Sequence, residues 1–292
     1  AITAAVAGDA VIVCPGTYVE NINFGGKRII VRSTAPEDPA VVAATIIDGG
    51  AAGATVTFSG GEGPDTQLSG FTITNGSAAN GGGIRGRNTT YDYRTSATIS
   101  QCVITGNQAT GTGTGGGLWR CAGLISKCTI QNNTAPDGAG LHDCTGTISD
   151  CTIAGNSASY RGGGLYACSA ELRQCVVTQN VAVSGGGGLA QCSGRMLDSL
   201  ITGNLSASGG GLYNCAGPAI NCNVLGNTPS GVSVSTGSMS LQNCIIRENR
   251  TDQIMVSGGA TASIAYSNVA GGWAGQGNLD ADPQFAMSGM ML

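Results

Sequence analysis

The sequence predicts an all-β solenoid, because short strand patterns recur with a period of about two dozen residues. A phrase of Cys, any residue, Ile or Val, two further residues and Asn returns along the chain. Examples are Cys151-Thr-Ile-Ala-Gly-Asn156 and Cys175-Val-Val-Thr-Gln-Asn180. A fixed period of this size is typical of stacked repeats, each of which buries its apolar face only against its neighbours. Each repeated position then becomes a straight row of side chains.

The composition agrees with a folded repeat protein and excludes other classes. The 292 residues include 50 glycines without a three-residue period, so the chain is not collagen-like. With 41% hydrophobic residues and a net charge of −4, it is not disordered and has no basic footprint for nucleic acid. No apolar run approaches the ~20 residues that a membrane span requires.

The cysteine of the phrase marks a corner between two strands. Ile148 precedes Cys151 by three positions, and Ile153 follows it by two. A spacing of two is the period of a strand, and a spacing of three indicates a bend that resets this period. We therefore predict strand, corner and strand, with all three side chains directed inward. After a first step of 31 residues, the markers recur every 22–26 residues: Phe71, Cys102, Cys128, Cys151, Cys175, Ser199, Cys222, Cys244 and Ser267.

A second corner lies upstream in the same coils. Glycine runs are followed by Leu, two residues and Cys, as in Gly162-Gly-Gly-Leu165-Tyr-Ala-Cys168. The glycines indicate a tight turn with positive φ and close backbone stacking. Each coil then has about three short strands, and no helical pattern of useful length interrupts them. The cysteines of this second column are Cys121, Cys144, Cys168, Cys192 and Cys215.

One periodic pattern runs through most of the chain, which favours a single domain over residues 1–292 with about eleven coils of 22–26 residues. Residues 1–70 form the N-terminal coils. Residues 71–267 form the regular Cys/Asn repeats, with an insertion at 85–95. Residues 268–292 form a C-terminal tail.

These motifs resemble those of right-handed parallel β-helix proteins of the pectate-lyase-like superfamily. The Gly-Gly-Gly-Leu and Thr-Gly-Asn phrases are similar to those of bacterial repeat proteins in the style of the polymorphic outer-membrane proteins. Ala7–Ile22 resembles the first coil of such proteins, through Gly-Asp-x-Val and Pro-Gly-Thr-Tyr, and Asn278–Phe285 resembles their common tail. The resemblance implies a right-handed parallel β-helix. The superfamily includes lyases, hydrolases, esterases, adhesins and tailspikes, so activity has to be argued from a site.

The asparagines that end the phrase form a row of their own. Stacked amide side chains hydrogen-bond to one another as a ladder, and asparagine tolerates the left-handed conformation of a corner. We expect a structural ladder, with Asn75 one place out of register: Asn107, Asn133, Asn156, Asn180, Asn204, Asn227 and Asn249. Asn-x-Ser/Thr sequons make five asparagines candidate glycosylation sites: Asn75, Asn88, Asn132, Asn204 and Asn249.

The twelve cysteines leave two interpretations open. No converging Cys-x2-Cys set indicates a zinc site, and we expect no metal. Inward cysteines can pack as small hydrophobic residues, or some can form disulfides in a secreted chain. Neighbouring coils bring Cα atoms to ~4.8 Å, inside the disulfide range, but parallel side chains strain the torsion.

One outward row combines aromatic and polar side chains. It comprises Trp119, His142, Tyr166, Ala190 and Tyr213, beside the corner residues Arg120, Asp143, Ala167, Gln191 and Asn214. Aromatic faces with nearby hydrogen-bonding groups suit sugar rings or a partner surface. The expected ligand-binding residues are Trp119, His142, Tyr166, Tyr213, Arg120 and Asn214. Strand propensity alone also explains such a row, and the insertion at 85–95 either folds over it or caps a groove.

The distribution of acidic residues favours a non-catalytic function. Calcium-dependent lyases need several carboxylates around the ion, and glycosidases need two carboxylates ~5–9 Å apart. The weak catalytic candidates are Asp143, Arg120 and Asp92. We expect no cofactor, calcium being the only candidate.

The sequence therefore predicts a secreted or cell-surface scaffold, adhesin-like or fibre-forming. Its expected partner is a polysaccharide, another glycan surface, or further copies of itself in head-to-tail contact. The alternative is a polysaccharide lyase or glycoside hydrolase that acts along the aromatic row.

Overall fold

A computed structural model describes residues 1–86 and 95–285. The described chain is an all-β, right-handed parallel β-helix, as predicted. Each coil contributes a strand to sheet A, then to sheet B and then to sheet C, before the chain returns to sheet A one level further on. A fourth, shorter sheet D lies between sheets B and C in five consecutive coils.

The strands of sheets A, B, C and D pair only in parallel, one coil with the next, within residues 1–86 and 95–285. Sheet A comprises Ala10–Val13, Ile30–Ser33, Gln67–Ser69, Thr98–Ser100, Leu124–Ser126, Thr147–Ser149, Glu171–Arg173, Met196–Leu197, Ala219–Ile220, Ser238–Gln242 and Thr261–Ala265. Sheet B comprises Gly16–Val19, Thr45–Asp48, Thr72–Thr74, Val103–Thr105, Thr129–Gln131, Thr152–Ala154, Val176–Thr178, Leu200–Thr202, Asn223–Leu225, Ile245–Arg247 and Asn268–Val269. Sheet C comprises Ile22–Asn23, Val56–Thr57, Ile84–Arg85, Leu118–Trp119, Leu141–His142, Leu165–Tyr166, Leu189–Ala190, Leu212–Tyr213, Ser230–Val234 and Asp252–Val256. Sheet D comprises Ser77–Asn80, Gln108–Thr114, Thr134–Asp137, Ser157–Arg161 and Val181–Ala182.

The register between coils follows the columns that the repeat defines. Ile148 of sheet A pairs with Ile125 and Leu172 in the coils on either side. Both Ile148 and the marker Cys151 are buried in the core. Asp150, between them, has a φ of 53°, so a left-handed residue makes the turn that separates the two strands.

The asparagine row is a buried ladder. Asn156 Oδ1 accepts hydrogen bonds from the backbone N and the Nδ2 of Asn133, both at 3.0 Å. Asn156 Nδ2 donates to Asn180 Oδ1 and to the carbonyl oxygen of Ile130, both at 2.9 Å. Equivalent bonds link the row from Asn107 to Asn249. Each amide therefore satisfies buried backbone groups of the coil before it.

The left-handed conformation expected of these asparagines belongs to the residues before them. Gly155 has a φ of 61° and Gln179 a φ of 55°. The preceding residue makes the turn, which leaves the asparagine side chain directed into the stack. This part of the sequence prediction is wrong by one position.

One short helix interrupts the strands, contrary to the expectation of none. Pro39–Ala44 lies between a sheet A strand and a sheet B strand. The side chain of Asp38 accepts a hydrogen bond from the backbone N of Ala40 at 2.9 Å, which caps the first turn. Proline at the first helical position is typical of such a start, so the Asp-Pro pair is the signal.

Sheet D is a second element that the sequence analysis missed. Its inward alanines form a separate buried cluster together with Ala139 of the following turn: Ala109, Ala135, Ala158 and Ala182. Alanine has little preference for strands and gives no clear alternation of large apolar residues. The phrase Asn-x-Ala, which begins at four of the ladder residues, is the signal for this sheet: Asn107, Asn133, Asn156 and Asn180.

The two ends of the stack differ. At the N-terminal end, Lys27 Nζ donates to the carbonyl oxygens of Ile2, Thr3 and Ala5 and holds the first turn over part of the core. At the other end, Asn278 Nδ2 donates to the Ile264 carbonyl oxygen at 2.9 Å, so the tail covers the last coil. In the described ranges, no helix is long and apolar enough to cross a membrane.

We predict that Asn156→Ala lowers the free energy of unfolding by about 3 kcal/mol, because the change leaves several buried hydrogen-bonding groups of neighbouring coils unsatisfied. Urea unfolding followed by circular dichroism measures this loss. The matched control is Asn132→Gly, at an exposed left-handed position where the neighbouring coil has Gly155. An equal loss of unfolding free energy in the two variants would contradict a stabilising role of the asparagine ladder.

Candidate functional site

The candidate site lies where the outward side of sheet C meets the ends of the sheet D strands. Gly138 connects the two, with a φ of 61°. A Cβ atom at Gly138 would lie 2.9 Å from the Cβ of His142 and 3.1 Å from that of Tyr166. Only glycine permits this approach, which brings the neighbouring Asp137 beside the row.

Arg120 and Asp143 bind each other across neighbouring coils. Arg120 Nε lies 2.7 Å from Asp143 Oδ2, and the guanidinium carbon of Arg120 lies 4.9 Å from the centre of the Trp119 ring. Trp119 is only 9% exposed. The expectation of Trp119 as an open binding face is therefore wrong, because the Arg120 guanidinium lies over its ring and the Gly115 turn packs against its Cβ. Ala190, in the same row, is also buried.

The accessible part of the row centres on His142, Tyr166 and Tyr213, which are all half-buried. The rings of His142 and Tyr166 lie 5.4 Å apart at 35°. The Tyr166 hydroxyl donates to Gln191 Oε1 at 2.9 Å. These contacts fix the tilt of the aromatic faces and leave one side of the row toward solvent.

Asn214 is engaged within the protein. Its Oδ1 accepts hydrogen bonds from the backbone N of Ser235 at 2.6 Å and of Thr236 at 3.2 Å. Its Nδ2 donates to Ser235 Oγ at 2.9 Å. The expected ligand-binding role of Asn214 is therefore replaced by a structural one, since both ends of its amide hold the next coil.

Three residues of sheet D belong to this surface and were missed. Asp137 Oδ1 accepts a hydrogen bond from the backbone N of Arg161 at 3.0 Å. Arg161 Nη2 donates to the Tyr160 hydroxyl at 2.9 Å, and its guanidinium carbon lies 4.5 Å from the centre of that ring. Asp137 and Arg161 each directly precede a glycine-rich turn. This turn brings the residue before it close to the aromatic row of sheet C.

Burial shifts the pKa values of Asp137 and His142 in opposite directions. Desolvation raises the pKa of Asp137 above its ordinary value, partly offset by the hydrogen bond from the Arg161 backbone. Desolvation lowers the pKa of His142 below its ordinary value, and the nearby carboxylates of Asp143 and Asp137 act against this shift. At neutral pH the imidazole is therefore uncharged, and it faces a carboxylate that holds protons more tightly than usual.

Other site predictions fall elsewhere. Asp92 and Asn88 lie outside the described residues. Asn204 and Asn249 are buried members of the ladder, so their amides are not accessible for glycosylation. Asn75 and Asn132 are exposed and remain candidate glycosylation sites. Among residues 1–86 and 95–285, no group of three or more His, Cys, Asp and Glu side chains could hold a metal ion.

Residues 37–210, more than half of the chain, match the family model described as right handed beta helix region. The chain belongs to this family. Members share the stacked coils described above, and the family description itself specifies no reaction. No curated protein matches the chain.

Two solved structures are similar in fold. A mannuronic acid specific polysaccharide family 6 lyase enzyme from human gut microbiota shares 14% identity, with a TM-score of 0.45, over 94% of this chain and 77% of the other. The pectin methylesterase from Aspergillus niger in deglycosylated form shares 14% identity, with a TM-score of 0.40, over 96% and 84%.

We predict that His142 makes the fold less stable at mildly acidic pH. Below about pH 6.5 the unfolded chain binds a proton at His142 before the folded chain does, so stability falls as pH falls through this window. The melting temperature of the wild type should therefore fall more between about pH 7.5 and about pH 5.5 than that of His142→Gln.

His142 is the only histidine, so the difference between the two profiles isolates this group. The raised pKa of Asp137 acts with the opposite sign and at more acidic pH, where protonation favours the folded state. Parallel profiles for wild type and variant would contradict a desolvated His142.

Proposed function

We propose that the protein is a non-catalytic, extracellular β-helix scaffold that binds a glycan along the outward side of sheet C. The ion pair between Arg120 and Asp143 carries this proposal. The carboxylate and guanidinium best suited to catalysis neutralise each other at 2.7 Å, and the guanidinium also lies over Trp119. Groups paired in this way join neighbouring coils, and each is already engaged by the other.

The half-buried aromatic side chains support glycan binding. His142, Tyr166 and Tyr213 occupy successive positions of one row, interrupted only by the buried Ala190. Sugar rings pack on such faces, and the polar groups of Gln191 and Asp137 border them. The spacing between coils, ~4.8 Å, suits an extended chain that follows the row.

A second candidate function is that of a polysaccharide lyase or glycoside hydrolase. The observation in its favour is the pair of Asp137 and His142, whose pKa values shift in opposite directions within one groove. Opposed shifts of neighbouring groups are common where an acid and a base cooperate. The pair would then act on a polysaccharide lying over Tyr166.

We predict that an acidic or neutral polysaccharide binds without being cleaved, and that Tyr166→Ala with Tyr213→Ala weakens binding about tenfold or more, because each change removes an aromatic face worth roughly 1 kcal/mol. A panel of glycans by calorimetry, with and without calcium, measures this affinity. Tyr266→Ala is the matched control, since this tyrosine is exposed at another corner.

The same samples should be assayed for new reducing ends and for unsaturated uronate products. Turnover that is lost in Asp137→Asn would overturn the non-catalytic proposal in favour of the second candidate. Unchanged glycan affinity in the double tyrosine variant would contradict binding along this row.

The N-terminal end of the described coils supports head-to-tail contact between copies of the chain. Its first strands pair on one side only within the described residues, and Val11 and Val13, which face the core, are only partly buried there. A cavity of about 560 Å³ at this end reaches Val31, Ile47 and Phe71 of the core. Unpaired strand edges with apolar side chains favour pairing with another chain. A second copy that packs its tail-covered C-terminal end here would cover both the strand edges and the cavity.

We predict concentration-dependent association that Val11→Glu with Val13→Glu abolishes, because the added charges would be buried in the contact. Sedimentation velocity and electron microscopy measure the size and length of the assemblies. Val183→Glu with Leu205→Glu is the control, since both residues are exposed on the side of the rod. Monomers at high concentration, or equal loss in the two variants, would contradict this contact.

A further inference from the structure

The core contains two columns of buried sulfur atoms that no proposed function uses. All twelve cysteines lie in the described ranges as free thiols, and only Cys14 is exposed. The column between sheets A and B has a run of four, then Ser199, then a pair: Cys102, Cys128, Cys151, Cys175, and Cys222, Cys244. The column between sheets C and A has an unbroken run of five: Cys121, Cys144, Cys168, Cys192 and Cys215.

Every buried sulfur contacts the carbonyl oxygen two residues before it, and seven of the eleven also contact a carbonyl oxygen of the preceding coil. The Cys151 thiol contacts the carbonyl oxygens of Ser149 at 3.1 Å and of Ile125 at 3.6 Å. The Cys175 thiol makes the equivalent contacts one coil later, with Arg173 at 3.2 Å and Ile148 at 3.4 Å. Because these contacts recur with the coil, successive sulfur atoms are spaced by about the strand separation, ~4.8 Å.

This spacing fits a bridging ion better than a disulfide. A disulfide brings two sulfur atoms to about 2.05 Å and needs a torsion near 90°, which parallel side chains do not offer. In a linear sulfur–metal–sulfur arrangement, two bonds of about 2.3 Å place the two sulfur atoms ~4.6 Å apart. Thiolate sulfur selects soft cations such as Cu(I), and the columns are packed among apolar side chains of the core.

The apolar core favours a metal site with no net charge, which limits both the charge of the ion and the number of deprotonated thiols. Binding of a monovalent cation would release one proton from one thiol to solvent and form one sulfur–metal bond. The neighbouring thiol would keep its proton and donate a sulfur lone pair to the same ion. The product is neutral and nothing is oxidised or reduced, which matters because an unpaired buried charge is costly.

We propose that neighbouring buried cysteines form two-coordinate sulfur sites for a soft monovalent cation of the Cu(I) class, each site joining two coils. Local spacing in the sequence does not reveal these sites, because their two ligands lie 22 to 26 residues apart. With one ion per pair, the run of five holds two, the run of four holds two and the isolated pair holds one. The capacity is five ions per chain.

The test uses the full chain with Cys14→Ser, unfolded and refolded without oxygen in Cu(I) buffered by a chelator, because the buried thiols are not accessible in the folded state. Mass spectrometry of the bound metal should give about five copper ions per chain, following the pairing above. Addition of Cys222→Ser leaves Cys244 alone and should remove one ion. Addition of Cys215→Ser shortens the run of five to four and should remove none.

An equal loss of copper in these two variants would overturn the pairing, since both replace a buried cysteine of the same coil. X-ray absorption on the unaltered columns should find two sulfur neighbours at about 2.2–2.3 Å. Three or more neighbours would also overturn it. So would intact-mass evidence that the metal-free protein has lost two hydrogens for each cysteine pair, since the thiols would then be disulfides.

Discussion

In-register hydrogen bonding between neighbouring coils is the constraint on which the rest of the structure depends. It turns Ile125, Ile148 and Leu172 into one buried column, and a slip by a single residue would expose the whole column to solvent. The asparagine ladder reinforces this register, because each amide can satisfy the buried backbone groups of the preceding coil only when the coils are aligned. The aromatic row and the sulfur columns follow from the same alignment.

The parts of the fold that repeat large apolar residues could be predicted, and the parts that repeat small residues could not. Ile148, Cys151 and Ile153 define two strands and a corner by spacing alone, and their register follows. Sheet D has only alanine on its inward side, so its strands lack a strong period. The helix Pro39–Ala44 depends on a single Asp-Pro pair, which is too local to outweigh a global repeat.

The sequence defines the row in which the candidate site is proposed, and the structure shows which side chains of that row are accessible. The row of Trp119, His142 and Tyr166 follows from the repeat, yet the burial of Trp119 depends on the path of its neighbours through three dimensions. The approach of Asp137 depends on the left-handed turn at Gly138, which a single glycine run does not specify. The ion pair between Arg120 and Asp143 joins two neighbouring coils, which the spacing of the two residues in the sequence does not show.

The alignment of the coils can be tested by NMR on protein labelled with ¹⁵N only at asparagine. The account predicts an unbroken chain of nuclear Overhauser contacts between side-chain amides, from Asn107 through Asn133 and onward to Asn249, since neighbouring ladder amides bond directly. Contacts that instead link Asn133 only to residues near it in sequence would contradict the stacked register and every row derived from it.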